Sequence, residues 1–63
     1  MNDNFVEEFF DSDMYKNIVA RNDQTEQYIV ETTSSSTYFL DGINNVCKEL
    51  HFQEEIDMHL KAI

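Results

Sequence analysis

The 63-residue sequence predicts a small single α+β domain over residues 1–63. The predicted order is helix, β-hairpin, helix, short helix (αββαα), with a two-stranded antiparallel sheet packed on the helices. Three observations predict it. Apolar residues recur at four-residue steps in the first third of the chain. A stretch rich in β-branched and aromatic residues follows, divided by Thr33-Ser34-Ser35-Ser36. Two apolar stripes of different phase then occupy the last third.

The first element reads as helix over 3–21. Asn4 can cap it, with Glu7 completing a capping box. Phe5 and Phe9, and Val6, Phe10, Met14 and Ile18, recur at helical spacing. Asp11-Ser12-Asp13 interrupts the apolar arc with residues that favour caps and turns, so the span is one long helix or two short ones. Lys16 and Arg21 suit a helix C-terminus, and Asn22-Asp23 closes the element.

Residues 25–41 read as the hairpin. The serine-rich loop has no Asn-Gly or Asp-Gly, which predicts a looser turn than the two-residue primed types. A three-residue loop pairs Val30 with Leu40, and a loop of even length pairs Val30 with Phe39. Tyr28, Val30, Tyr38 and Leu40 are assigned to the inward face.

Asp41-Gly42 is read as the start of a second helix capped by Asp41, with Ile43, Val46, Cys47 and Leu50 in one narrow arc. After Leu50 the stripe changes phase. Phe52, Ile56, Leu60 and Ile63 fall about half a turn away at 3.6 residues per turn, which predicts a break at 51–53 and helices over 42–50 and 53–62.

The composition narrows the function classes. Thirteen acidic residues face four basic ones, for a net charge of −9. Such a field repels nucleic acid and anionic lipid and attracts basic surfaces. Cys47 is the single cysteine, so no internal disulfide can form, as suits a reducing compartment. No apolar run approaches the roughly 20 residues of a membrane span, and Met1-Asn2-Asp3-Asn4 lacks a basic leader. The expectation is a soluble cytoplasmic protein. Hydrophobic residues make up 41% of the chain, too many for a solvated tail of this charge. The absence of Pro and Trp, with one Gly, points to an AT-rich gene of a low-GC bacterium or its phage.

Val46-Cys47-Lys48-Glu49-Leu50, with Phe52 and Leu60, resembles part of a helix-turn-helix over about a quarter of the chain. The resemblance implies a DNA-binding regulator. The sequence departs from the motif at His51, where the turn takes Gly, and at Glu54, Glu55 and Asp57, which put anions where phosphate would approach. Two short helices sharing a core is the simpler reading.

Cys47, His51, Glu55 and His59 recur at steps of four. On one helix that ridge would run about 18 Å, too long for a single ion, so no metal and no cofactor is expected. A Cys–His nucleophile needs an oriented base and an oxyanion hole, and one glycine offers little loop to build one. No enzyme is expected.

Asn4 to Tyr15 interleaves aromatics with acids. The candidate partner surface takes its acidic face from Glu7, Glu8, Asp11, Asp13, Glu26 and Glu31. Its apolar anchors are Phe9, Tyr15, Phe52, Ile56 and Leu60. The expected partner is a basic, nucleic-acid-handling host protein such as an RNA polymerase, a nuclease, or a restriction or CRISPR effector. In size, acidity and lack of catalytic motifs the chain resembles the small phage-encoded host-takeover and anti-defence proteins, several of which mimic DNA. The other reading is a homodimeric structural or adaptor module joined through the stripe at Phe52, Ile56, Leu60 and Ile63.

Overall fold

The computed structural model describes residues 5–63, with Phe5 described by its backbone alone. The cap expected of Asn4 lies outside the described residues. The chain runs α1 (Phe5–Phe10), β1 (Tyr15–Asn22), β2 (Gln27–Thr32), β3 (Thr37–Asp41), β4 (Val46–Leu50) and α2 (Gln53–Ala62). The expected helix–hairpin–helix–helix fold is not what the chain adopts: a four-stranded sheet is flanked by two short helices. The sheet has four antiparallel strands in the order β1-β2-β3-β4, not two, and this corrects the αββαα arrangement.

Alternation along β2 and β3 divides the core in two. Val30 and Leu40 face one side, where Val6 of α1 closes a cluster with Phe9, Phe10, Tyr15, Ile18, Tyr28 and Tyr38 around it. Ile29 and Phe39 face the other side, joined by Leu50 and flanked by Ala20, Val46, Ile56 and Ile63. The sheet is therefore a central layer with α1 on one face and α2 on the other. Ile29, Val30 and Leu40 are wholly buried, each worth about 1.5–3 kcal/mol relative to exposure.

The expected hairpin forms as β2 and β3, and Tyr28, Val30, Tyr38 and Leu40 do share a face. Its register differs from both pairings left open by the sequence. Val30 lies opposite Tyr38 and Tyr28 opposite Leu40. The reason is Thr32. Its buried hydroxyl accepts from Ser36 N–H (3.1 Å) and lies 3.1 Å from both Ser36 C=O and Ser34 Oγ. The Thr32 amide also donates to Ser36 C=O at 2.8 Å. These bonds close a loop over 33–36, within the three- to five-residue length expected, and set the partner of Val30 one residue before Phe39 and two before Leu40.

The expected helix over 3–21 is corrected to a six-residue helix and a strand. Ser12 ends α1, its hydroxyl donating to Phe9 C=O at 2.7 Å and accepting from Met14 N–H at 3.3 Å. β1 then carries two bulges, between Tyr15 and Asn17 and between Ile18 and Ala20. The expected helix over 42–50 is corrected to a turn and strand β4. Asp41 caps that turn instead of a helix, since its carboxylate accepts from Ile43 N–H, Asn44 N–H and Asn44 Nδ2 at 2.9–3.1 Å. With Val46–Leu50 extended, the helix-turn-helix resemblance loses its first helix. α2 occupies the predicted range. Among the described residues, no helix is long and apolar enough to cross a membrane.

Candidate functional site

The acidic residues sort into three places. Val6 is buried and Phe9 and Phe10 turn toward the sheet, so α1 presents Glu7 and Glu8 outward. Asp11 and Asp13 follow in the exposed turn into β1. That turn is anchored to the β2–β3 turn, because Thr33 N–H donates to Met14 C=O at 2.8 Å and Thr33 Oγ1 to Asp13 C=O at 3.4 Å. Four carboxylates thus belong to one short segment, and no basic residue lies between Phe5 and Asp13.

Glu31 and Glu26 stand apart from them. Glu31 lies between Val30 and Thr32 on β2 and so projects on the α2 side of the sheet, half-buried between Asn17 and Thr37. Glu26 is in the β1–β2 turn at the opposite end of the strands, about 20 Å along β2 from the Thr33 turn. Asp23 shares that turn. Burial raises the Tyr28 phenol above its ordinary value, and the negative charges of Asp23 and Glu26 raise it further. Asp23 also meets Arg21 in an exposed ion pair at 3.7 Å. Among the described residues, Glu8, Asp11, Asp13, Glu26 and Glu31 form no ion pair.

The apolar anchors divide as well. Phe9 packs on Tyr38 at a ring-centroid distance of 5.4 Å, and Tyr15 meets Phe10 edge-on at 4.9 Å. Ile56 packs on the Ile29–Phe39–Leu50 cluster, as does Ile63. These residues build the core. Phe52, 67% exposed, and Leu60, 38% exposed, remain at the surface.

The Cys47 ridge does not form. Cys47 stands on β4 opposite Leu40, on the α1 side of the sheet. Although the residue is exposed, partial desolvation of its thiol pushes it above the ordinary value. Glu55 caps α2, its Oε1 accepting from His51 N–H at 2.8 Å and Phe52 N–H at 3.1 Å. These bonds hold its carboxyl below the usual range. His59 lies over Phe39, with ring centroids 4.5 Å apart, and its Nδ1 is 2.7 Å from Glu55 C=O. Among the described residues, no group of three or more His, Cys, Asp or Glu is placed to share a metal ion.

Sequence reasoning grouped Glu54, Glu55 and Asp57 near the start of the last helix but did not join Glu49 to them. Glu49 is the last residue but one of β4, and Glu54, Glu55 and Asp57 lie in the first half of α2 just beyond it. With 42–50 read as helix, Glu49 had no place on a strand leading into them. Comparison with known proteins returns no matching family, no matching curated protein and no matching solved structure.

Proposed function

We propose that this chain is a non-enzymatic, acidic protein-binding module acting in the cytoplasm. It occupies the basic groove of a nucleic-acid-handling protein and so inhibits or modulates it. The observation that carries this reading is the segment from α1 into β1. Glu7, Glu8, Asp11 and Asp13 are exposed along it, with no cation among them and with Phe9 and Phe10 anchoring it to the core. Glu7 and Glu8 on α1, with Asp11 and Asp13 in the turn that follows, set four carboxylates along one short segment, an array that would suit a row of cationic side chains built to follow phosphates. Docking would be steered by charge. Exposed Phe52, at the far end of the sheet from Glu26, would add apolar contact area.

Affinity capture from a bacterial lysate over a salt series tests the reading. The expected result is a basic protein that elutes as salt rises and is displaced by duplex DNA. The triple variant Glu8→Lys/Asp11→Lys/Asp13→Lys should bind it more weakly, through slower association more than faster dissociation. Retention that ignores salt, or a variant that binds like the wild type, would overturn it.

A further inference from the structure

We propose that the free edge of β4 is a strand-docking site, and that its occupant is an extended, basic segment of the partner protein. The proposal rests on the protein-binding reading above and names a mode of attachment for it.

Among the described residues the sheet is open, so β1 and β4 each leave one row of backbone N–H and C=O groups without a neighbouring strand. The two edges differ. β1 carries bulges at Lys16 and Val19, which break and twist its outward row, a common device against strand addition. β4 pairs with β3 in unbroken register over all five residues, from Asp41↔Val46 to Thr37↔Leu50. α1 packs on side chains of β1, β2 and β3. On the same side of β4, Cys47 is exposed and Glu49 only half-buried, and on the other side Lys48 is exposed. Phe52 stands exposed two residues past the end of the strand.

Charge selects the occupant. From Val46 to Asp57 one cation, Lys48, faces four anions, Glu49, Glu54, Glu55 and Asp57. A second copy would bring an equal anionic region against this one. Symmetric antiparallel pairing centred on Lys48 or on Glu49 would also set like charges opposite each other. A foreign segment that alternates basic and apolar residues meets neither obstacle. Its basic side chains would lie beside Glu49 and its backbone would complete the β4 row, as in other strand additions.

Amide hydrogen exchange on the full chain tests this, with two short capped peptides as probes, one alternating Lys and Val and one alternating Glu and Val. The Lys–Val peptide should slow exchange within Val46–Leu50 and leave Tyr15–Asn22 unchanged, and the Glu–Val peptide should do neither. Glu49→Lys should weaken the Lys–Val peptide about two- to fivefold, the size of one cross-strand charge pair. Lys48→Glu should strengthen it by a similar factor, and it carries the test if Glu49→Lys fails to fold. Protection on β1, or β4 protection that grows with protein concentration without peptide, would overturn the proposal. If the peptide instead perturbs only Glu8, Asp11 and Asp13, the edge proposal fails and the acidic-segment reading stands. If the Lys–Val peptide binds nowhere, both fail.

Discussion

Three turn residues hold left-handed backbone without being glycine: Glu26 (φ 55°), Ser35 (φ 70°) and Asn45 (φ 60°). Each sits in one of the three hairpin turns. Asn tolerates this region through local hydrogen bonding, whereas Glu and Ser are strained there by about 1 kcal/mol or more. Ser35→Gly should therefore raise the thermal midpoint by several degrees, since about 1 kcal/mol corresponds to roughly 4–8 °C in a domain this small. An unchanged or lower midpoint would show that the turn stores no such strain. The one glycine answers a different demand. Gly42 N–H donates to Glu26 C=O at 2.9 Å, and a Cβ on Gly42 would lie 2.5 Å from Glu26 Oε1 and 3.3 Å from Glu26 Cβ. The exposed Glu26 carboxylate can swing away, so Gly42→Ala should destabilise only slightly, by the shift needed to relieve the approach to Glu26 Cβ, and Glu26→Gly should remove that loss, a coupling that chemical denaturation of the double variant measures. Asp41 gives the residue scale a pH dependence. Burial alone would raise its carboxyl, but hydrogen bonds from Asn44 and Ile43 outweigh it and hold the group below its ordinary value. The stabilisation is present above the unfolded-state value and is lost as pH falls through the lower folded-state value. Stability in acid should accordingly fall more steeply in the wild type than in Asp41→Asn, as urea melts over a pH series would show.

Among the elements, β2, β3 and α2 were legible in the sequence and β1 and β4 were not. A spacing of four fits both a helix, at 3.6 residues per turn, and one face of a strand, at twice two. Val46 and Leu50 share a strand face in this way, while Cys47, which completed the helical arc, points to the other side. In β1 the bulge at Lys16 brings Tyr15 and Ile18 to the same face at a spacing of three, and the bulge at Val19 puts Ile18 and Ala20 on opposite faces at a spacing of two. The β1–β2 turn carries no Asn-Gly or Asp-Gly that would have marked it, and the Asp41-Gly42 that opens the β3–β4 turn reads equally as a helix start. For the site, the acids of α1 were legible as a contiguous segment, whereas the placement of Glu26 and Glu31 depended on strands that periodicity could not resolve. The anchors divide at this scale too. Ile56→Ala should destabilise by about 1–3 kcal/mol, less than a fully buried Ile→Ala change because the site is half-exposed. Phe52→Ala should change stability by no more than about 0.5 kcal/mol while weakening partner capture. Equal losses of stability in the two variants would mean that Phe52 belongs to the fold.

At the scale of the whole molecule, one charge distribution acts on folding and on binding with opposite signs. Two modest clusters, Val6–Val30–Leu40 and Ile29–Phe39–Leu50, hold three layers together in a chain of 63 residues. A domain of this size has a small margin, and a net charge of −9 reduces it through self-repulsion. The acids are spread over the α1 segment, the β1–β2 turn, the α2 side of β2 and the β4–α2 corner, so their mutual repulsion is a long-range term. Added salt shortens the screening distance from about 10 Å at 0.1 M to about 3 Å at 1 M, and that repulsion fades with it. The same screening removes the attraction to a basic partner. Sodium chloride should therefore raise the thermal midpoint of the free protein over the range in which it lowers partner affinity. The triple lysine variant of Glu8, Asp11 and Asp13, whose net charge is closer to zero, should show a smaller rise. A midpoint that falls with salt in the wild type would mean that local attractions such as Arg21–Asp23 outweigh the repulsion. The surplus charge would then be part of what holds the fold, and no longer a burden kept for binding.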